Sequence, residues 1–169
     1  MSEEQQRAPA AVVTPEHLAS LQALAKQAAA WWRNQLEDPG YAGKFNNGDR
    51  SQAGEMAQIM ASMAALQSPS PKSPALDLFE QLLTDALWSR MERDPIPSEP
   101  ECASPANDIV LSVDYGPEGE LRKAASSASV SGFPWKTTMW VNWDADPAKC
   151  YIEVRRGYGA ENQRLPTTR

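Results

Sequence analysis

The feature that most constrains this chain is a single change in the spacing of its apolar residues. They recur every three or four positions in the first half and every second position in the second, and a proline-crowded segment separates the two regimes. Spacing of three and four lines up side chains on one stripe of a helix, whereas alternation lines them up on one face of a strand. One switch from the first pattern to the second predicts an α+β protein. About three N-terminal helices should pack on one face of a three- to four-stranded antiparallel C-terminal sheet.

The first helix is expected from Pro15 to Asp38, with Leu18, Leu21, Ala25, Ala28, Trp32 and Leu36 on its stripe, Thr14 as its cap and Pro15 at its first position. After the turn-rich segment from Tyr41 to Ser51, a second helix is expected through Met56, Ile59, Met60, Met63 and Leu66. This stripe suits either an ordinary core or a docking face. Prolines between Ser68 and Pro74 break the chain, and a third helix follows with Leu76, Phe79, Leu83, Leu87 and Met91 inward. Four prolines between Arg93 and Asp108 make a crossing linker.

Beyond the linker Ile109, Leu111, Val113 and Tyr115 alternate with Val110, Ser112 and Asp114, which predicts a strand. A weak strand is expected from Glu120 to about Val130, and stronger ones from Lys136 to Trp143 and from Ala148 to Arg156. If Asp144 to Pro147 form the hairpin loop, Trp143 faces Ala148, Val141 faces Cys150, Met139 faces Ile152, and Trp140 faces Tyr151 on the wetter side. The predicted layout is thus a flexible N-terminus at 1–13 and one domain at 14–156, comprising a helical part at 14–93, a linker at 94–108 and a β-meander at 109–156. A flexible tail would occupy 157–169.

Charge is uneven along the chain. Residues 1–76 carry seven acids and six bases, residues 77–120 carry eleven and two, and residues 121–169 carry four and eight, within a net charge of −6. The acidic middle offers one candidate surface through Asp77, Glu80, Asp85 and Glu92 on the third helix; the alternative is a solvated face that partly neutralises the basic hairpin. The hairpin offers another, in which Trp140 and Tyr151 are flanked by Lys136, Lys149, Arg155 and Arg156. Rigid aromatics beside cations are the composition of binding hot spots, although a cross-strand aromatic pair can equally be structural.

Several chemistries lack their residues. His17 is the only histidine and lies in the first turn of a helix, a poor place for an acid or base. Cys102 and Cys150 have no metal-ligand or redox spacing and are expected to be free thiols, so neither a metal nor another cofactor is expected. Asp144 and Asp146 are expected to be turn formers. No run of 18 apolar residues spans a membrane, and the opening MSEEQQRAPAAVV lacks the basic start of a signal peptide, so a cytoplasmic protein is expected. The leading expectation is a non-catalytic binding protein that occupies a partner protein's surface, as inhibitors, immunity proteins and phage anti-defence proteins do. That partner could itself be basic or nucleic-acid-binding. Alternatives are a small enzyme using carboxylate, Arg and Ser groups without His, or direct nucleic-acid binding through the last hairpin.

Overall fold

The computed structural model describes residues 12–37, 56, 59, 74–96, 108–134, 136–157 and 159–166. Helix α1 spans Pro15–Glu37, α2 spans Pro74–Arg93 and α3 spans Gly119–Ala128; the strands are β1 (Asp108–Val113), β2 (Thr137–Asn142), β3 (Tyr151–Arg156) and β4 (Gln163–Arg164). The strands form one antiparallel sheet in the order β1-β2-β3-β4. This is the α+β architecture that the change of period predicts. Of the expected second helix only Met56 and Ile59 are described; both are helical and exposed, and the rest of its methionine stripe lies outside the described residues. Among the described residues no helix is long and apolar enough to cross a membrane.

Helix α1 starts as the sequence indicates, with the Thr14 hydroxyl accepting from the His17 amide at 3.1 Å. Its stripe from Leu21 through Ala25, Ala28 and Trp32 to Leu36 is buried against α2, which contributes Leu76, Phe79, Leu83, Leu87 and Met91. Helix α2 packs in turn on α3, and α3 on β1. Under these helices lies the inner face of the sheet: Ile109, Leu111, Val113, Met139, Val141, Ile152 and Val154 are all buried. The fully buried Trp32 indole lies 6.2 Å from the Phe133 ring, and Phe79 stands edge-on to Phe133 at 5.6 Å. One aromatic cluster therefore joins both long helices to the segment that enters β2.

The exit from α2 is pinned from two sides. His17 donates from Nε2 to the Pro95 carbonyl at 2.8 Å, and the Trp143 indole donates to the Asp94 carbonyl at 2.9 Å. The lone histidine, buried at its helix start, thus holds a structural post. Most of the proline linker, with Cys102, lies outside the described residues, as does Trp135.

Three expectations are corrected. Where a weak strand is expected from Glu120 to about Val130, the chain forms helix α3, Gly119–Ala128. Leu121, Ala124, Ala125 and Ala128 are its buried stripe at helical spacing, and alanine, a poor strand former, is the best helix former. The helix closes at Ser129, which adopts φ 56°, with the Val130 amide bonded to the Ala125 carbonyl at 2.9 Å.

The hairpin register differs by two residues. Trp140 faces Glu153, Asn142 faces Tyr151, and Met139 faces Val154. The loop is longer than a four-residue turn because Pro147–Lys149 form a 3₁₀ turn capped by the Asp146 carboxylate, which accepts from the Ala148 amide at 3.0 Å. Asp144 accepts likewise from the Asp146 amide at 2.9 Å, so both acids form turns as expected. A shift of two keeps the paired side chains from Thr137 to Asn142 and from Tyr151 to Arg155 on their predicted faces.

The tail, expected to be loose, adds β4 to the sheet: the Leu165 amide donates to the Ile152 carbonyl at 2.9 Å and Leu165 packs on the core. Its reversal uses glycines with positive φ at Gly157 and Gly159.

Ser129 holds a left-handed conformation that glycine adopts without a Cβ penalty, at an exposed site. Ser129→Gly should therefore stabilise the fold by about 0.5–1 kcal/mol, read as a higher midpoint in urea with an unchanged slope.

Candidate functional site

Because the described helices pack on one side of the sheet, the residues that alternate with the buried ones look outward. Alternation places Val110 and Ser112 of β1, Thr138, Trp140 and Asn142 of β2, Tyr151, Glu153 and Arg155 of β3, and Arg164 of β4 on this face. Cross-strand pairing arranges four of them in a row across the whole sheet, Val110–Trp140–Glu153–Arg164. Val110 is half exposed, Arg155 and Arg164 are exposed, and the remaining outward side chains are half-buried.

Guanidinium groups cover the two outward aromatics. Arg155 lies 5.4 Å from the Trp140 ring centre and Arg164 lies 4.1 Å from that of Tyr151. Stacking fixes the planar cation while leaving its N–H edge free to grip a carboxylate or phosphate with two parallel bonds. The face therefore presents two aromatic–arginine units about a central acid, Glu153.

Of the residues expected at this site, the structure unites Trp140, Tyr151 and Arg155. It disperses the other three. Lys136, largely buried just before β2 with φ 51°, pairs with the Asp114 carboxylate and lies 4.8 Å from the Tyr115 ring. That contact staples the turn after β1 to the start of β2. Arg156, opposite Thr137 on the inward side, lies 5.2 Å from the Trp31 ring of α1. Lys149 is exposed in the 3₁₀ turn, off the strand. Tyr115, expected inward, sits beyond the end of β1 and is 76% exposed.

Arg164 was missed because its strand is two residues long and has no detectable alternation. Glu153 has no signal of its own in the sequence, because the expected register sets Tyr151 rather than Glu153 opposite Trp140. Val110 was correctly outward by parity, but nothing in the sequence placed it at the sheet edge beside Trp140.

The acidic candidates occupy the other layer. Arg33 of α1 reaches Asp77 at 2.6 Å and Glu80 at 3.4 Å. An open groove of about 270 Å³ between α1 and α2 is lined by Lys26, Asp77, Glu80, Gln81, Thr84 and Asp85. Glu92 is exposed near the end of α2. The acidic row is thus partly neutralised by α1, where the sequence had suggested the basic hairpin. Exposed pairs of this kind contribute little stability, about 0–1 kcal/mol each.

Cys150 is a free thiol at the end of the hairpin loop, where it accepts from the Asp144 amide at 3.3 Å. Burial pushes its pKa up; the amide bond opposes this, and the nearby Asp144 and Asp146 carboxylates add to the rise.

Comparison with protein-family models, curated proteins and solved structures finds no match to the chain.

In a Cys102→Ser background, iodoacetamide at pH 8 should alkylate folded Cys150 more slowly than a free thiol peptide, and guanidinium should restore the peptide's rate. Because the folded thiol titrates higher than the unfolded one, its contribution to stability is constant below the ordinary thiol range and falls as pH rises through it. Faster alkylation of the folded chain would contradict the burial effect.

Proposed function

We propose that this chain is a small, non-catalytic binding protein whose outer sheet face occupies the surface of a partner protein, in the manner of an inhibitor or immunity protein. The observation that supports this reading is the aromatic–arginine pairing on that face. Trp140 with Arg155 and Tyr151 with Arg164 lie on a sheet surface that no described helix covers. Trp, Tyr and Arg supply most of the energy of protein interfaces, and side chains held in place by a rigid strand lose little entropy on binding. Arginines already stacked on the rings leave their N–H edges for acceptors, which favours a partner presenting carboxylates.

Single-stranded nucleic acid would need the ring faces for its bases. The two guanidinium groups occupy one side of those rings, so a protein partner fits the arrangement better. The acidic row on α2 is a weaker candidate because Arg33 already engages Asp77 and Glu80.

Affinity capture from host lysate, with the full chain as bait and mass spectrometry as readout, should recover a protein that the Trp140→Ala and Tyr151→Ala variants retain poorly. Each substitution is expected to weaken capture by about tenfold or more, the size of a hot-spot loss. The thermal transition should barely move, since both side chains sit on the outer face. A large fall in melting temperature would show instead that the pair is structural. Steeply salt-dependent binding of single-stranded oligonucleotides would replace the protein partner with nucleic acid.

A further inference from the structure

Away from the outer sheet face, cations of this fold close on acids. Arg33 reaches Asp77 and Glu80, Arg90 reaches Glu120 at 3.7 Å, and Lys136 pairs with Asp114. The outer face departs from that pattern. Glu153 lies directly opposite Arg164 in the β3–β4 pairing and two residues from Arg155 on the same side of β3. Neither guanidinium closes on its carboxylate: Arg155 turns to the Trp140 ring and Arg164 to the Tyr151 ring. Among the described residues Glu153 has no ion pair and no hydrogen bond to its side chain, and its carboxylate stays open to solvent.

Strand geometry sets the order of these charges. Residues two apart on a strand stand about 7 Å apart and adjacent strands about 5 Å apart, so Glu153 sits in the angle between Arg155 and Arg164, whose backbones are about 8 Å from each other. A single segment of a partner can touch all three. Each guanidinium gives one face to a ring and keeps an N–H edge that a carboxylate takes with two parallel bonds. The Glu153 carboxylate between them can only accept.

A run of like anions would satisfy both arginines and press a third negative charge on Glu153, which would lose water and gain no donor. A cation at that place satisfies it. An interface that discriminates needs such a repulsive element as well as attractive ones. We infer that the outer face recognises a polypeptide segment of the inverse order, a cationic side chain between two carboxylates, and that Glu153 is the specificity-determining residue that turns uniformly anionic chains away. The inference rests on the reading of this face as a protein-binding surface and supplies the chemistry of the partner.

Two labelled peptides of equal length serve as probes, one centred on Glu-Ser-Lys-Ser-Glu and one on Glu-Ser-Glu-Ser-Glu. Extended, each sets its three charges on one side. Titrated into the full chain, with the Trp140 indole N–H followed by NMR, the lysine-centred peptide should bind about tenfold more tightly. Glu153→Lys should reverse that preference. Glu153→Gln, which keeps the size and removes the charge, should narrow it to about threefold or less, and serves alone if the lysine variant fails to fold. Glu92→Lys, which makes the same change of net charge at an exposed site on α2, should leave the preference as it is.

Equal affinity for the two peptides would overturn the inference, as would a preference that Glu92→Lys moves as far as Glu153→Lys does, since net charge alone would then explain it. No response of Trp140 to either peptide would overturn it too. Failure of the underlying reading looks different: capture from lysate would be indifferent to Trp140→Ala and Tyr151→Ala, whatever the peptides do.

Discussion

Seven apolar side chains, from Ile109 to Val154, point to the same side of three strands and are buried under three helices. Since strand side chains alternate, committing these seven to the core leaves their neighbours no choice of direction. The outer face is therefore a by-product of the inner one: Trp140 is outward because Met139 and Val141 are inward. The Trp32–Phe133–Phe79 cluster supports the same arrangement from the helical side, because it fixes both long helices to the segment preceding β2.

What could be read in the sequence was parity; what could not was length. The predicted and observed hairpins differ by two residues and still send the paired side chains from Thr137 to Asn142 and from Tyr151 to Arg155 the same way. Hydrophobic pattern senses only odd against even, whereas the loop is set by Asp144, Asp146 and Pro147, which fold into successive local turns. The misread helix α3 failed for a related reason. Its stripe is mostly alanine, too weakly apolar to show against the serines around it, although its spacing from Leu121 to Ala128 is helical throughout.

Two parts of the candidate site divide along the same line. Trp140, Tyr151 and Arg155 were legible because strand alternation places them. Arg164 was not, because it is brought in by main-chain pairing of a two-residue strand after a glycine reversal, and main-chain pairing leaves no trace in side-chain pattern. Lys136 and Arg156 were grouped with the site by proximity in sequence. They sit at strand ends, where each finds an aromatic ring of its own, Tyr115 in the turn after β1 for Lys136 and Trp31 of α1 for Arg156. Linear charge segregation likewise mixes in space: the acidic helix meets Arg33 and Lys26 of α1, so the folded surface is less polarised than the chain.

The row Val110–Trp140–Glu153–Arg164 gives the outer face a direction. It passes from aliphatic at one edge, through aromatic and anionic, to cationic at the other, so turning a bound surface through half a circle would set apolar groups against Arg164 and charges against Val110. A face with such a gradient reads orientation as well as composition.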